Sequence, residues 1–371
     1  MTQLAKRVKS FDSGDFRTVF HMQQHLADPI DLSVGIPEEL TPEHVKAAGI
    51  EAIRQDKTVY TPANGLSELR GALAAKLQGE NGLVVSEEQV TIVPGLTTGQ
   101  LLIYMAILDP GDEVIVLDPY YPPYVHLAEA IGAQVMLVNT LPTFQPDLPA
   151  IEASITNRTK AIVINSPNNP TGAVYDASAF EQIAQIAQKH DLLIISDEIY
   201  EHFVYDDKHN SIGSIYPNTI TMNGFSKEYA MTGWRLGYLT GPSEIVDAIN
   251  ELMQYVVFSS SSIAQHAALA ALKHRPNLTS KYRQKRDFLT SHLRRLGYEI
   301  HGAQGAYYVF IRAPHDMTDL EFAEQAADLG LIIVPGRAFS TRHGYIRLSY
   351  GNKQSELERA VQVLARITEL R

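Results

Sequence analysis

The sequence contains no cysteine, no long hydrophobic run and no excess of basic residues. The lack of cysteine excludes disulfides, thiolate nucleophiles, cysteine-ligated zinc and iron–sulfur clusters. The longest apolar runs, such as residues 101–108 and 192–195, fall far short of the roughly 18 residues that a membrane-spanning helix needs. The N-terminal residues carry charges throughout and lack a signal-peptide pattern, so we expect a soluble cytoplasmic protein.

The charge balance is acidic, with 31 basic and 42 acidic residues and a net charge of −11. A dedicated nucleic-acid binder needs a basic surface, so we expect no nucleic-acid partner. An anionic ligand is compatible with this composition, because a few local cations and a helix N-terminus can hold a phosphate. The 371 residues, of which 45% are hydrophobic, are enough for a globular chain of two or three domains.

Short apolar runs alternate with helical segments between about residues 89 and 241, which is typical of α/β proteins. Buried strands are predicted at residues 90–93, 113–117, 134–138, 161–165, 192–196, 219–222 and 236–240. The clearest helix covers residues 178–190, with Asp176 as its N-cap. We therefore predict a large domain with a mainly parallel sheet flanked by helices, whose ligands collect beyond the C-terminal strand ends.

The C-terminal part of the chain has a different pattern. A long charged helix is predicted at residues 278–296, and shorter strands and helices follow at residues 307–311, 320–329, 331–334, 345–348 and 355–370. We predict that residues 46–275 form the large domain and residues 276–371 a small α+β domain. Residues 1–45 are too few to fold alone, so we expect them to pack on the small domain. The four serines at 259–262 predict a helix N-terminus.

Polar side chains follow three successive predicted strands. Residues 166–172, Ser-Pro-Asn-Asn-Pro-Thr-Gly, form a rigid turn, Asp197 and Tyr200 follow the next strand, and Lys227 and then Arg235 follow a third. A carboxylate directly after a buried strand needs a cationic or hydrogen-bonding partner. A half-buried lysine has a reason to lose its proton and to act as a nucleophilic amine. Together these residues predict a catalytic site at one edge of the sheet.

This combination resembles the fold-type I, pyridoxal 5′-phosphate (PLP) dependent aminotransferases of class I/II, the aspartate aminotransferase-like superfamily. The resemblance covers nearly the whole chain, through residues 32–37, 60–65, 119–124, 166–172, 197–200, 226–227, 232–237, 305–308, 334–336 and 345–349. It implies a transaminase that moves the amino group of an L-amino acid to a 2-oxo acid. We expect 2-oxoglutarate as the acceptor and a ping-pong mechanism through a lysine Schiff base.

The resemblance implies catalytic and cofactor-binding roles for individual residues. Lys227 would form the Schiff base and move the proton, and Asp197 would pair with the pyridine nitrogen. Asn169 and Tyr200 would hydrogen-bond the 3′-oxygen of the ring and lower the Schiff-base pKa. Asn168 is the less favoured of the two adjacent amides, because the asparagine of the family directly precedes the proline.

The phosphate would be held by Arg235 and by the backbone N–H groups of Leu96 and Thr97, which open a predicted helix. Many relatives carry a phosphate-binding serine at the position that Gly224 occupies here, which leaves Ser226 as a weak substitute.

Three further roles follow from the same resemblance. Tyr121 would stack on the cofactor ring. Tyr60 would reach the phosphate of a partner subunit, which implies a homodimer. Arg347 would take the substrate α-carboxylate, assisted by Asn169 and the backbone of Gly35.

The amino donor stays open at this point. Relatives that take aspartate or glutamate often place a lysine or arginine near the distal carboxylate, whereas this chain has Thr97 and residues 254–256, Gln-Tyr-Val, at the corresponding positions. Aromatic and other neutral amino acids therefore stand beside aspartate, with Tyr120, Tyr124 and Tyr255 as candidate lining residues.

Other functional classes have less support. A PLP-dependent lyase or racemase on the same fold is the alternative, since it would keep the same cofactor residues. A nucleotide-binding oxidoreductase is disfavoured because its glycine fingerprint is absent, and a non-catalytic interaction protein would not need the whole set. His21 and His25 have no evident third ligand nearby, so we expect helix-surface or packing roles for them and no metal.

Overall fold

The computed structural model describes residues 28–369, together with residues 5, 7, 8 and 26. His21 and His25 lie outside the described residues. The strands of the described chain are β1 (Ile30–Asp31), β2 (Val90–Val93), β3 (Glu113–Asp118), β4 (Gln134–Asn139), β5 (Thr159–Asn165), β6 (Leu193–Asp197), β7 (Thr219–Gly224), β8 (Gly237–Thr240), β9 (Tyr308–Arg312), β10 (Leu331–Ile332), β11 (Val334–Pro335) and β12 (Tyr345–Ser349).

Helices separate most of these strands, so that the order of elements alternates through the first two thirds of the chain. They are α1 (Glu43–Arg54), α2 (Ser67–Lys76), α3 (Leu96–Ile107), α4 (Pro123–Ala130), α5 (Leu148–Ala153), α6 (Ala177–Lys189), α7 (Ser243–Val256), α8 (Ser262–Lys273), α9 (Thr279–Arg295), α10 (Asp319–Asp328) and α11 (Gln354–Glu369). Among the residues from 28 to 369, no helix is long and apolar enough to cross a membrane.

The central feature is a seven-stranded sheet in the order β2-β8-β7-β6-β5-β3-β4. Strands β3 to β7 run parallel, and β8 runs antiparallel to both of its neighbours. This confirms the predicted α/β fold with a mainly parallel sheet. In the register, Asn165 lies opposite Asp197, and Asp197 lies opposite Met222. The polar residues that follow these strands therefore meet at one edge.

Burial explains most of the strand predictions and one failure. Every residue of β2, β3, β6, β7 and β8 is buried, as continuous runs of Val, Ile and Leu predict for strands covered on both faces. The strand predicted at residues 134–138 is confirmed as β4, but the prediction that it is buried is wrong, because most side chains of this edge strand are at least partly exposed.

Two predicted helix starts are confirmed by their capping hydrogen bonds. The Asp176 carboxylate accepts a hydrogen bond of 2.7 Å from the backbone N–H of Ala179, at the start of α6. The Ser261 hydroxyl accepts one from the N–H of Ala264, at the start of α8. Such caps satisfy N–H groups that the first helical turn leaves without partners.

A smaller antiparallel sheet, in the order β11-β12-β9, carries the C-terminal part of the chain. The predicted strand at 331–334 is divided: β10 pairs in parallel with β1, whereas β11 pairs with β12. Through β1, the N-terminal segment is bound to elements near the other chain end. The domain boundaries at residues 45 and 275 stay a prediction.

Candidate active site

A cavity of about 750 Å³, including solvent at its open mouth, lies at the C-terminal edge of the parallel strands. Most of the residues that the sequence assigns to the site line it: Gly35, Leu96, Thr97, Tyr121, Asn169, Asp197, Tyr200, Ser226, Lys227 and Arg235. The segments that carry them are up to 200 residues apart in the chain, from Gly35 to Arg235. The fold therefore brings together what the sequence presents as separate motifs.

Lys227 lies in the loop that follows β7 and points into this cavity. Its Nζ donates a hydrogen bond of 2.7 Å to the backbone oxygen of Gly35. Burial, reinforced by the positive charge of Arg347, lowers the pKa of the Lys227 amine to about 8. A lysine with this pKa loses its proton far more readily than an exposed lysine, and so can act as a nucleophile.

Asp197 ends β6 at the floor of the cavity. Its Oδ2 accepts a 2.7 Å hydrogen bond from the Tyr124 hydroxyl, and its Oδ1 accepts one of 3.1 Å from the N–H of Ile199. Burial raises the pKa of Asp197 to about 6, against the hydrogen bond from Tyr124. The carboxylate is thus poised to gain a cationic partner from a ligand in the cavity.

Two residues near Asp197 have positions that the sequence did not predict. Tyr124 was expected only as a lining residue, but its buried hydroxyl orients the Asp197 carboxylate. Asn165, at the end of β5, donates to the Asp197 backbone oxygen at 3.0 Å and accepts from the Asn169 N–H at 2.7 Å. A polar residue that closes a buried apolar strand was the available signal for Asn165.

Asn169 and Arg347 form one hydrogen-bonded pair beside the cavity. Arg347 Nη1 donates to Asn169 Oδ1 at 2.9 Å, and Nη2 donates to the backbone oxygen of Ser33. The guanidinium lies between the rings of Tyr308 and Phe339, 4.6 and 4.5 Å from their centroids. Arg347 Nε is buried and has no hydrogen-bond partner within the described chain, so the group can still bind a carboxylate.

The turn at residues 166–172 gives its two asparagines different surroundings. Asn168 Oδ1 accepts hydrogen bonds from the N–H and the hydroxyl of Thr171, which closes the turn on itself. Asn169 instead lines the cavity. The preference for Asn169 over Asn168 as the site residue is consistent with this placement.

The opposite end of the cavity is suited to an anion. Helix α3 begins at Leu96, and its first N–H groups lie beside Arg235. Gly95 has a φ of +88°, and a Cβ at this position would meet the Arg235 guanidinium. Arg235 is itself held in a left-handed conformation, with a φ of +54°, and its Nη1 donates to the Thr232 backbone oxygen at 3.0 Å. A helix N-terminus and a guanidinium together are suited to binding a phosphate.

Gly224 and Ser226 show why one phosphate contact differs from the family pattern. A Cβ at position 224 would lie 3.0 Å from both the Cα of Gly237 and the backbone oxygen of Leu236. The neighbouring strand β8 thus leaves little room for a serine there. Ser226 does line the cavity, so its hydroxyl is available to a ligand.

Two aromatic residues have different positions relative to the cavity. Tyr121 lines it and makes an edge contact with Tyr124, with 5.5 Å between ring centroids. Tyr60 is 80% exposed and packs on Phe258, with 4.5 Å between the centroids. Tyr60 is therefore on the surface of this chain rather than in its own cavity.

Three buried glutamates, Glu198, Glu201 and Glu228, directly follow Asp197, Tyr200 and Lys227 in the sequence, and the motifs gave no prediction for them. None of them lines the cavity, and the carboxylates of Glu198 and Glu201 lie close together beside His209. His202 Nε2 joins two of them, at 3.1 Å from Glu201 and 3.0 Å from Glu228. Burial raises the pKa of Glu228 to about 9.

The comparisons with known proteins identify the family of this chain. The family described as aminotransferase class I and II matches residues 27–364. The aspartate/prephenate aminotransferase of Thermus thermophilus is 41% identical, with 99% of both chains covered. An aromatic-amino-acid aminotransferase of Thermococcus litoralis is 33% identical, with 98% of both chains covered. A solved structure of the Thermus thermophilus aspartate aminotransferase with maleate superposes with a TM-score of 0.93 at 39% identity, over 99% of this chain and 100% of that one.

The fold and site define a fold-type I transaminase, and the chain belongs to the aminotransferase class I and II family. It is a PLP-dependent enzyme that transfers amino groups.

The cavity fits this cofactor. A buried carboxylate with a raised pKa, Asp197, lines the cavity, and so does the Arg235 guanidinium, for which the missing Cβ of Gly95 makes room. The amine of Lys227 lies in the same cavity.

Proposed function

We propose that this chain transfers the amino group of an L-amino acid to a 2-oxo acid, with Lys227 as the residue that holds PLP. The supporting observation is the Lys227 amine, whose pKa is lowered to about 8 and which shares one cavity with a carboxylate and two guanidinium groups close by. When bound, PLP supplies the electron sink that stabilises negative charge at the substrate α-carbon. The residues of the chain position the reactants and move the proton.

Lys227 has two tasks in this proposal. Its neutral amine would be the point of covalent attachment for PLP. When that amine is free, Lys227 Nζ would accept the proton from the substrate α-carbon and return it. A primary amine with a pKa near 8 can both accept and return a proton near neutral pH.

Asp197 is proposed to pair with the protonated ring nitrogen, and Asn169 and Tyr200 to donate to the ring oxygen. The Tyr124 hydroxyl, which belongs to a residue of the cavity lining, donates to the Asp197 carboxylate. Such a pair keeps positive charge on the ring, where it favours the removal of the α-proton. Tyr121 is proposed to stack on the ring.

Arg347 is proposed to bind the substrate α-carboxylate, with Asn169 and the Gly35 backbone beside it. Its flat guanidinium is held between two aromatic rings, so a fork of N–H groups has a fixed direction. Arg235, Ser226 and the N–H groups of Leu96 and Thr97 are proposed to hold the phosphate.

Donor and acceptor are proposed to use this one cavity in turn, which gives ping-pong kinetics with 2-oxoglutarate as acceptor. Among the cavity residues described, the cationic side chains are Lys227 and Arg235, with Arg347 adjacent, and each already has a role. We therefore place aromatic and other neutral donors beside aspartate. Tyr120 stays a candidate for this pocket, whereas Tyr255 is 90% exposed on this chain.

The experiment is a panel of amino donors assayed with 2-oxoglutarate. Glutamate formation that depends on the acceptor, with parallel initial-velocity lines, supports the proposal. Release of pyruvate and ammonia without an acceptor identifies a lyase instead, and inversion of the α-carbon without an acceptor identifies a racemase.

A homodimer is proposed as the active unit, with Tyr60 reaching the phosphate of the partner subunit. Its support is a set of exposed apolar residues around Tyr60: Val59, Tyr60, Tyr255, Val256 and Phe258, which are between 44% and 90% exposed. Exposed apolar groups in such number are typical of protein interfaces. Activity measured on dilution through the dimer dissociation range tests this, and undiminished activity of the monomer would contradict it.

A cytoplasmic location without nucleic-acid or membrane partners is also proposed; the net charge of −11 supports only the lack of a nucleic-acid partner. Fractionation of the producing cells tests the location.

A further inference from the structure

The hydroxyl of Tyr308 lies directly behind that of Tyr200 as seen from the cavity. The two oxygens are 2.8 Å apart, which is a hydrogen bond in which either group can donate. Tyr200 lines the cavity, and both side chains are buried. The identity of the donor matters, because it decides whether Tyr200 presents a proton or a lone pair to a ligand.

The surroundings of Tyr308 favour it as the donor. The Arg347 guanidinium lies over the Tyr308 ring at 4.6 Å, and a cation in this position makes the phenol a stronger hydrogen-bond donor. Burial raises the pKa of both phenols and the charge of Arg347 acts to lower both, but Tyr308 also raises the pKa of Tyr200 further. The Arg347 cation lies closer to the Tyr308 ring than the Lys227 amine, at 5.6 Å, lies to the Tyr200 ring, which favours Tyr308 as the donor.

Gly35 makes room for this arrangement. A Cβ at position 35 would collide with the Tyr308 hydroxyl, so only a residue without a side chain allows the hydroxyl to lie where it meets Tyr200. The hydroxyl of the adjacent Tyr307 donates to the Gly35 backbone oxygen at 3.0 Å. The ionisable groups that face the pair are Arg347, Lys227, Tyr307 and Tyr121.

We propose that Tyr308 is a positioning residue whose hydroxyl donates to Tyr200 and thereby directs the Tyr200 proton into the cavity. This rests on the proposed role of Tyr200 as donor to the ring oxygen of PLP. A phenol that accepts one hydrogen bond is a better donor in the next, since consecutive hydrogen bonds polarise one another. Tyr308 therefore strengthens the contact of Tyr200 with the ring oxygen, and so favours the deprotonated form of the link between Lys227 and PLP.

The test is a spectroscopic pH titration of that link in the holoenzyme, without substrate. Tyr200→Phe removes the direct donor, and we expect the pKa of the link to rise by roughly 1–2 units. Tyr308→Phe removes only the second hydroxyl and keeps the ring against Arg347, and we expect a smaller rise of roughly 0.1–0.7 unit. The double variant should match Tyr200→Phe alone, because Tyr308 acts through Tyr200.

Tyr350→Phe is the matched control. It removes another buried hydroxyl near β12, one that donates to the backbone oxygens of Gly305 and Ala306, and it should leave the pKa of the link unchanged. Suppose that Tyr200→Phe shifts the pKa of the link. The proposal for Tyr308 is then wrong if the shift caused by Tyr308→Phe is no larger than the shift caused by Tyr350→Phe. It is also wrong if the shift in the double variant equals the sum of the two single shifts. If Tyr200→Phe itself produces no shift, the proposed role of Tyr200 is wrong.

Discussion

Replacing Arg347 by lysine tests the substrate-binding end of the site, because the charge is kept and the planar fork is lost. The guanidinium holds Asn169 Oδ1 and the Ser33 backbone oxygen with its two terminal nitrogens. A lysine ammonium cannot keep both contacts and also present two parallel N–H groups to a carboxylate.

The size of the effect follows from the contacts that are lost. One hydrogen bond to a charged group contributes about 1.5–3 kcal/mol. Packing between Tyr308 and Phe339 adds about 1 kcal/mol that a lysine does not recover. The total of roughly 2.5–4 kcal/mol corresponds to a loss of about 70- to 900-fold in kcat/KM.

The assay is single-turnover absorbance of the first half-reaction with an amino acid, together with steady-state kcat/KM. An amine with the same side chain but no carboxylate is the comparison substrate, and Arg347→Lys should leave its already low rate unchanged. Arg312→Lys, at the exposed end of β9, is the matched control. A kcat/KM within about threefold of the parent enzyme, or an equal loss for the carboxylate-free amine, would refute the reasoning.

Three further predictions concern the cofactor pocket and the buried glutamate Glu228. Asp197→Asn should keep the fold but lower kcat by roughly 10- to 100-fold, measured by stopped-flow absorbance, because a neutral amide cannot hold the charged ring nitrogen; an unchanged kcat would contradict this. Gly95→Ala should weaken PLP binding by roughly tenfold or more, measured by equilibrium dialysis, since its φ of +88° and the neighbouring guanidinium leave no place for a Cβ; Gly79→Ala, where a Cβ meets nothing within 4 Å, should not. Burial raises the pKa of Glu228 from 4.5 to about 9, so the folded protein binds a proton that the unfolded chain releases, and stability falls as the pH rises through this range. Glu228→Gln should flatten that fall in urea unfolding, and an equally steep fall in this variant would contradict the assignment.

The strand pattern and its polar ends could be predicted from sequence because both are local. A continuous apolar run such as residues 161–165 predicts a strand that is buried on both faces, and Asp176 predicts the start of a helix. The antiparallel direction of β8 could not be predicted in this way, since an apolar run carries no signal of direction. The exposure of β4 could not be predicted either, because it depends on what covers the strand in the assembled fold: β2, at the opposite edge of the sheet, is fully buried.

In the candidate site too, local features could be predicted from the sequence, whereas tertiary contacts could not. Motifs with fixed spacing identified Lys227 and Arg235, which are close in the chain. The Tyr124 hydroxyl reaches Asp197 across 73 residues, and no periodicity or turn signal relates the two. Tyr308 was included in a matching segment but given no role, because its contact with Tyr200 spans 108 residues. Such contacts depend on tertiary packing and become visible only once the sheet is assembled.

The central claim is that Lys227 holds PLP. The most direct measurement makes the bond between the lysine and PLP permanent and identifies which lysine carries it. Borohydride reduction of the holoenzyme, followed by proteolysis and mass spectrometry, identifies the modified lysine. We predict that the cofactor mass lies on Lys227 and that the Lys227→Ala variant carries none. Lys208 is an exposed lysine on another loop, and the control variant Lys208→Ala should be labelled at Lys227 as the parent enzyme is. Label on a different lysine in the parent enzyme, or a fully labelled Lys227→Ala variant, would contradict the account.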